Sequence, residues 1–364
     1  MTIKEITTII EDFAPLSIQE NYDNAGLLVG EATTEVSGIL ICLDSTEAVI
    51  DEAIKKNCNL VIAHHPIVFS GLKKLNGKNY IERTIIKAIK SNIAIYAAHT
   101  NIDNAFNGVS FKMAEKLGLI NCNVLLPKDN LLKKIVTYCP INYAEAVRNA
   151  LFSNGAGNIG NYDACSFNTE GIGTFKGSEN TTPFVGQQGN LHHEKEIKIE
   201  TIIPAYHLKK VINAMLKAHP YEEVAYDIYP LENQLNTIGS GIVGELPQPK
   251  DENTFLVQIK TALNTNCIRH TAFLGKKIQK VALCGGAGSF LLPNAIAAQA
   301  DIFISADFKY HQFFDSDNQL IIADIGHYES EQFTSELFYE ILTKKIPNFA
   351  VYLSEKNTNP INYL

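Results

Sequence analysis

Hydrophobic residues recur along the chain in two patterns, one typical of buried strands and the other of amphipathic helices. Short apolar runs with β-branched residues, such as 60–63 and 93–98, predict strands that are covered on both faces. Segments such as 2–13 and 80–90 instead repeat their apolar residues at helical spacing. This alternation predicts an α/β fold with a mostly parallel sheet and helices on both of its faces.

The pattern changes near residue 128 and changes back near residue 237. Between these points come a strand and a helix, then a stretch rich in Gly and Asn from Gly155 to Asn190, then a strand, a helix and a strand. This order fits a ferredoxin-like α+β module. We therefore expect a discontinuous α/β domain, residues 1–127 and 237–364, interrupted by an inserted domain of residues 128–236.

Two adjacent histidines end one of the predicted strands. The apolar run 60–63 stops at His64 and His65, and the strand is expected to end there because Pro66, which follows, lacks an N–H group. In open α/β sheets, ligands bind beyond the carboxyl ends of the strands. The pair alone is equally typical of two partly exposed loop histidines, so other residues must decide its role.

Two further strand ends carry side chains that can bind metals. His99 and Asp103 follow one predicted strand, and His327 and Glu331 follow the last one. The latter two are four residues apart, so on a helix they would share one face. Imidazole and carboxylate groups suit zinc, iron, manganese or a similar divalent ion. The candidate metal ligands are His64, His65, Asp103, His327 and Glu331.

Extended backbone geometry favours two ions over one. Consecutive residues of a strand point to opposite sides, so His64 and His65 cannot easily chelate the same ion. Each could bind one member of a pair, with a carboxylate as the bridge. Metal pairs about 3.5–4 Å apart are common where enzymes activate water against phosphorylated substrates. Glu331 and Asp103 are the candidate catalytic residues, and Glu331 is placed to bridge the ions or to hold the attacking water.

The composition argues against several classes of function. The formal charge of −8 gives no basic surface, so nucleic acid is not expected as a partner. No apolar run reaches the length of a membrane span, and residues 1–13 lack the pattern of a signal peptide. The seven cysteines form no CxxC pair, which indicates buried thiols in a reducing compartment. We therefore expect a cytoplasmic protein that does not bind membranes.

Six short motifs occur along the chain in a fixed order: ENYDNAGLLVG, VIAHHPIVF, AAHTNIDNAFNGV, ALCGGAGS, SADFKYH and DIGHYESE. Together they closely resemble the GTP cyclohydrolase I type 2 homologues, a family of dinuclear metal proteins also called Ngg-interacting factor three-like. The resemblance covers residues 1–126 and about 237–364. It implies two divalent ions per chain, bound by the five residues that the spacing had already selected. Many members have tryptophan where this chain has Tyr22, which keeps the aromatic ring.

The resemblance also implies properties beyond the metal ligands. Longer members carry an inserted domain similar to PII and CutA proteins, and two segments of this chain, GNIGNYDACSF and HPYEEVAYDIYPL, look like that domain. Members tend to form hexamers of two trimers, which predicts a homo-oligomer. The family name suggests GTP as the substrate, with opening of the purine imidazole ring and release of formate.

Other polar residues could orient the ligands or contact a substrate. His99 could orient a metal ligand, and a packed loop histidine is an equal alternative. Asp23 could line the cleft, although Asp and Asn before Gly often form turns. Lys309 and His311 follow another predicted strand and resemble cleft residues of the family. The loop 285–289 could bind a phosphate through backbone N–H groups, but it lacks the Lys-Ser/Thr of a P-loop.

Two functions are consistent with these features. The first is a hydrolase that uses two metal ions to activate water near neutral pH and acts on GTP or a related nucleotide or phosphoester. The second is a non-catalytic, metal-loaded scaffold or regulator whose PII-like insert senses a ligand. Turnover that follows metal occupancy supports the hydrolase, whereas ligand binding without turnover supports the scaffold.

Overall fold

The structure is a computed structural model that describes all 364 residues. The chain divides into a larger unit, Met1–Pro127 with Asn236–Leu364, and a smaller unit, Lys128–Leu235. None of the helices combines the length and the apolar character that crossing a membrane requires.

The larger unit is interrupted by the smaller one, so its elements fall into two series. Before residue 128 they are α1 (Ile3–Phe13), β1 (Gly26–Val29), β2 (Ile39–Asp44), α2 (Glu47–Lys55), β3 (Leu60–His65), α3 (Tyr80–Lys90), β4 (Ala94–Ala97), α4 (Thr100–Asn104), α5 (Val109–Leu117) and β5 (Ile120–Pro127). The smaller unit contains β6 (Leu132–Pro140), α6 (Ala144–Phe152), β7 (Phe167–Lys176), β8 (Leu191–Pro204), α7 (Leu208–Ala218) and β9 (Tyr226–Pro230). After it come β10 (Gly239–Asp251), α8 (Glu252–Ala262), β11 (Arg269–His270), β12 (Lys277–Leu283), α9 (Leu292–Ala297), β13 (Ile302–Ser305), β14 (Ile321–Asp324), α10 (His327–Glu331), α11 (Thr334–Lys345) and β15 (Val351–Leu353).

The strands of the larger unit form two mixed sheets rather than the single, mostly parallel sheet predicted from the sequence. The first sheet has the order β1-β4-β3-β2-β15, and only its edge strand β1 is antiparallel. The second has the order β11-β14-β13-β12-β10-β5, with β12, β13 and β14 parallel and the outer strands antiparallel. Strand–helix alternation identified the parallel centres correctly, but it does not reveal which strands share a sheet or which edges reverse direction.

Strand β3 is the centre of the first sheet and carries the two adjacent histidines at its end. Its first four side chains are fully buried, and two of them, Val61 and Ala63, pack in the core that also includes residues of α2 and α3. Fully burying a Val or Ile side chain contributes roughly 1.5–3 kcal/mol, so the register of this strand is strongly fixed. In that register Asp44 of β2 lies opposite His65.

Side-chain caps fix where the helices that cover β3 begin. Thr46 accepts a hydrogen bond from the Val49 N–H at the start of α2, and Asn79 accepts one from the Glu82 N–H at the start of α3. These bonds satisfy backbone donors that a helix leaves unpaired at its first turn.

The smaller unit has one antiparallel sheet of order β7-β8-β6-β9, with the chain order strand-helix-strand-strand-helix-strand. Helices α6 and α7 cover one face of this sheet, in a core that includes Ile135, Val147, Ile199, Val211 and Met215. Strand β7 lies inside the Gly- and Asn-rich stretch 155–190, where the sequence predicted no regular element. Most of its side chains are exposed, so no apolar alternation marks it.

Candidate metal centre

His64 ends the buried part of β3 and has one ring nitrogen available for a ligand. Its side chain is fully buried, and its Nδ1–H donates to the carbonyl oxygen of Ala98, 3.0 Å away. A carbonyl oxygen can only accept, so this bond places the proton on Nδ1 and leaves the lone pair on Nε2. That Nε2 is buried and has no hydrogen-bond partner.

His65 has its ring 4.8 Å from that of His64, closer than alternation along a strand predicts, and it joins two carboxylates. Its Nδ1 lies 2.7 Å from Oδ1 of Asp44, the residue opposite it on β2, and its Nε2 lies 2.9 Å from Oε2 of Glu331. The same Nε2 is 3.3 Å from Nε2 of His327. Two imidazole nitrogens therefore face each other beside one carboxylate oxygen.

The short helix α10 carries His327 and Glu331 on one face, as their spacing predicted. Their Nε2 and Oε2 atoms lie 3.1 Å apart, and Nδ1 of His327 lies 2.6 Å from Oδ2 of Asp307. The helix begins after Gly326, whose φ of 95° is a conformation that side chains rarely adopt.

The carboxylate of Glu331 is shared between two groups of donors. Its Oε2 faces His65 and His327, whereas its Oε1 lies 3.6 Å from Nε2 of His64. On the far side, His64 Nε2 is 3.7 Å from Oδ1 of Asp103, an oxygen that is buried without a hydrogen-bond partner although a quarter of its side chain is exposed. Within each group, the ligand atoms lie within 4.8 Å of one another.

The donor set fits divalent cations. A buried polar atom without a partner costs roughly 1–3 kcal/mol, and here one imidazole nitrogen and one carboxylate oxygen face each other in that condition. A cation between them would satisfy both. The Nδ1 atoms of His64, His65 and His327 each contact a carbonyl or carboxylate oxygen. Such outer hydrogen bonds orient the ligands in many metal sites.

The charges in the cluster shift the pKa values of its members strongly. Burial raises the pKa of Asp103 to about 8, and the nearby charge of Glu331 adds to the effect. Burial alone would lower the pKa of His65 and His327, but adjoining carboxylates outweigh it and raise these values to about 10 and about 11. Burial would raise the pKa of Glu331, yet the imidazoles around it hold the value well below its usual range. Without a cation, protons therefore supply the positive charge in this cluster.

His99 and Asp23 lie beside the cluster, as the sequence suggested. The His99 ring is 5.2 Å from that of His64, and its Nδ1 lies 2.8 Å from Oδ1 of Asp23. The other oxygen of Asp23 accepts hydrogen bonds from the N–H and hydroxyl of Thr100. Although burial opposes it, these bonds and the one to His99 lower the pKa of Asp23 to about 2. Asp23 thus orients His99, which could contribute a further ligand with His64 and His65.

Lys309 and His311 are exposed, and neither side chain forms a hydrogen bond or an ion pair with the cluster. The residue of the SADFKYH motif that reaches a candidate ligand is instead Asp307, which contacts His327. The glycine loop also differs from its expected role. The N–H groups of Gly286 and Gly288 already donate to the hydroxyls of Ser330 and Ser305, so they are not free to bind a phosphate.

The C-terminal segment, residues 354–364, contacts Asp44 and the helix α10 that carries His327 and Glu331, which no sequence pattern indicated. The hydroxyl of Thr358 donates to Oδ2 of Asp44, whose other oxygen contacts His65. Asn359 donates to Oε1 of Glu329, 3.0 Å away. Glu329 is buried, so this hydrogen bond is shielded from solvent.

The fold and the site define a mixed α/β protein with a cluster of His and carboxylate side chains that could bind metal ions. The chain belongs to the Duf34/NIF3 (NGG1p interacting factor 3) family, whose model matches residues 1–360. It is 39% identical to a GTP cyclohydrolase 1 type 2 homolog of Halalkalibacterium halodurans, over 99% of this chain and 98% of the relative. The crystal structure of a Bacillus cereus protein related to NIF3 aligns with 100% of this chain and 99% of its own, at 39% identity and a TM-score of 0.88. A Staphylococcus aureus protein aligns over 100% of this chain and 99% of its own, at 29% identity and a TM-score of 0.78.

Proposed function

We propose that this protein is a hydrolase that depends on two divalent metal ions held at the carboxyl ends of β3 and β14. The observation that carries the proposal is the division of the Glu331 carboxylate between two groups of donors. One oxygen faces His64 and Asp103, and the other faces His65 and His327. Such a carboxylate is placed to bridge two ions, and zinc, iron and manganese all accept this mixture of imidazole and carboxylate ligands.

The surrounding residues would hold the ligands in position. One ion would be bound by His64, Asp103 and Glu331, and the other by His65, His327 and Glu331. When bound, the ions would supply Lewis-acid activation of water near neutral pH. The chain itself fixes the imidazole rings through Ala98, Asp44 and Asp307.

We propose GTP or a related nucleotide or phosphoester as the substrate. The name of the relatives from Halalkalibacterium halodurans and Bacillus subtilis, GTP cyclohydrolase 1 type 2 homolog, supports this choice. The surface next to the cluster supports it as well. Tyr22 and Phe69 are 67% and 50% exposed, their rings are 6.3 Å apart, and Phe69 lies 6.1 Å from His99. Exposed rings beside the cluster could stack on a purine base.

We also propose that the smaller unit is a PII/CutA-like domain and that the chain forms a hexamer of two trimers in the cytoplasm. The strand-helix-strand-strand-helix-strand order of the smaller unit supports the first point. The motif resemblance supports the assembly. All seven cysteines are free, which is consistent with a reducing compartment.

Glu331→Gln tests the metal-dependent hydrolase directly. The change keeps the shape of the side chain and removes the charge that offsets the two cations. We expect a folded protein whose metal content falls from about two ions per chain to one or fewer, and whose GTP hydrolysis falls at least ~100-fold. Elemental analysis of protein purified without chelators, together with formate and phosphate release assays, measures both effects.

The matched control is Glu336→Gln, the same chemical change on the next helix. Glu336 pairs with Lys116 at a distance of 2.6 Å and makes no contact with the cluster, so this variant should retain its metal and its rate. Wild-type protein with a single tightly bound ion, or Glu331→Gln with full metal content, would show that the ligand assignment is wrong. Full metal content without hydrolysis of any nucleotide or phosphoester would instead contradict the enzymatic role.

A further inference from the structure

A cavity of about 710 Å³ lies on the sheet face of the smaller unit that helices α6 and α7 leave uncovered. Tyr138, Glu196 and Lys198 line it, whereas their strand neighbours Cys139 and Ile197 point into the core under the helices. The loops 177–184 and 221–225 complete its wall. Its volume falls within the roughly 300–1,000 Å³ typical of sites for small molecules.

The HPYEE motif, which the metal centre does not explain, builds one wall of this cavity. His219 donates from Nε2 to a β6 carbonyl oxygen 2.9 Å away and accepts at Nδ1 from the Tyr221 N–H. The Tyr221 hydroxyl donates to Oε1 of Glu196, 2.8 Å away. Glu222 accepts from the N–H of Thr182 at 2.8 Å, which ties the two loops together. The polar groups of the motif therefore hold the cavity open rather than fill the core.

Two glycines of β7 keep the floor of the cavity clear. The strand register places Gly171 opposite Glu196 and Gly173 opposite Glu194, so both glycines face the cavity side of the sheet. A Cβ on Gly173 would lie 2.0 Å from Oε2 of Glu196, whereas a Cβ on Gly171 would meet nothing within 4 Å. Glycine weakens a strand interior and often marks a place where a ligand approaches the backbone.

The lining favours a cation over an anion. Four carboxylates line the cavity against two amines, and one of these amines, Lys198, is already paired with Glu200 at 3.1 Å. Glu196 is only 8% exposed, so an anion in the cavity would lie against a buried carboxylate, which is costly. The rings of Phe175 and Phe184 lie 6.1 and 6.2 Å from that of Tyr221 and offer an aromatic surface for an apolar body or a cation.

From these contacts we infer that the cavity is a binding site for a small organic cation, a protonated amine carried on an apolar or aromatic body. The amine would face Glu196, and the body would lie on the Phe175, Phe184 and Tyr221 rings above the open floor at Gly171. All of these residues belong to the smaller unit. The inference therefore does not depend on the metal centre or on any hydrolysis.

Three probes that share one aromatic body and differ in charge test the inference on the full-length protein. They are 2-phenylethylamine, 2-phenylethanol and phenylacetate, and their affinities can be measured by ligand-observed NMR titration. We expect the amine to bind at least ~10-fold more tightly than the alcohol, and the acid to bind most weakly. Equal affinity of the three probes, tighter binding of the acid, or no binding of the amine at millimolar concentration would overturn the inference.

Two variants locate the binding. Gly171→Ile adds a β-branched side chain where the structure has open space, so the fold should be kept and amine binding should fall at least ~10-fold. Glu196→Gln should remove the preference for the amine over the alcohol. Gly71→Ile is the matched control, because a Cβ there also meets nothing within 4 Å and the residue lies in the larger unit. Unchanged amine affinity in folded Gly171→Ile would place the binding elsewhere and refute the assignment.

Discussion

In each candidate histidine, a hydrogen bond to one ring nitrogen determines how the other nitrogen is oriented toward a metal. Nδ1 of His64 is fixed by a backbone carbonyl, and those of His65 and His327 are fixed by Asp44 and Asp307. Carbonyl and carboxylate partners of this kind orient the ring and raise the basicity of the ligand. The geometry of the centre is therefore set by residues that need not touch a metal themselves.

The candidate ligands could be predicted from the sequence, but their supporting carboxylates were not. His64, His65, His327 and Glu331 occur at spacings that strand ends and a helix turn make meaningful, so local geometry was enough to group them. Asp44 lies 21 residues from its histidine and Asp307 lies 20 from its own. Asp44 is the last residue of β2 and Asp307 comes two residues after the end of β13, and only the folded sheets show which imidazole each one meets. Their position at strand ends was the one available signal.

Thr358→Val tests whether the C-terminal segment helps to position the candidate metal ligand His65. The change keeps the shape of the side chain but removes the hydroxyl that donates to Asp44, which leaves the carboxylate beside His65 free to rotate. We expect a metal affinity about 10-fold lower, at the low end of the range for such supporting contacts. Titration against a competing chelator measures it.

A second substitution at the same position separates this positioning role from a general loss of stability. Thr358→Ser restores the hydroxyl and should restore the affinity. Thr343→Val is the control, because the hydroxyl of Thr343 bonds only within its own helix, to the Tyr339 carbonyl. If Thr358→Val and Thr343→Val bind metal equally well, the contact with Asp44 has no role in positioning His65.

At the scale of elements, buried segments could be predicted and exposed ones could not. The strand 60–63 was evident because all four side chains are apolar and fully buried. Strand β7 was missed because its exposed side chains carry no periodic signal, and its pairing with β8 is formed by the backbone. The thirteen-residue strand β10 was also missed; its glycines and prolines resemble a loop, although it pairs with both β5 and β12.

The loop after β12 has a packing role that its glycines explain. Gly286 has a φ of 63°, and a Cβ at this position would lie 2.2 Å from Oε1 of Glu331 and 3.4 Å from the His327 ring. The loop therefore leaves room for the carboxylate that joins the two halves of the cluster. The sequence suggested phosphate binding because glycine-rich loops serve both purposes, and only the contacts distinguish them.

Gly286→Ala should disturb metal binding more than its backbone strain can explain. The added Cβ would push Glu331 away from His64, so we expect the metal affinity to fall about 10–100-fold. Gly118→Ala is the matched control, since its φ is 71° and its Cβ would meet nothing within 4 Å. Both variants should lose about 1–2 kcal/mol of stability from the left-handed backbone conformation. Equal metal affinities of the two variants, measured beside their unfolding free energies, would contradict the packing role.

On the scale of the whole molecule, the smaller unit interrupts the larger one between two paired strands. Pro127, the last residue of β5, lies opposite Gly239, the first residue of β10. The two ends of the interruption therefore lie next to a pair of opposed residues on adjacent strands of the larger unit. The five candidate ligands belong to that unit, and so do Asp44 and Asp307. The domain bounds and the placement of the candidate residues in the larger unit agree with the sequence-based prediction. The pairing of β5 with β10 could not be obtained in this way, because pairing across more than a hundred residues leaves no local pattern.

Replacement of residues 128–235 by a short Gly/Ser loop should leave the metal centre intact. A few flexible residues can join Pro127 to Asn236, because the strands that flank them are already paired, and closing so short a loop costs little entropy. We expect the shortened protein to fold cooperatively and to bind the same number of metal ions as the full chain, while it loses any binding of 2-phenylethylamine. Circular dichroism, elemental analysis and the NMR titration measure these three properties. Light scattering on both proteins tests the proposed hexamer and shows whether the smaller unit is needed for it. A shortened protein that is soluble and folded but contains no metal would show that the smaller unit contributes to the centre.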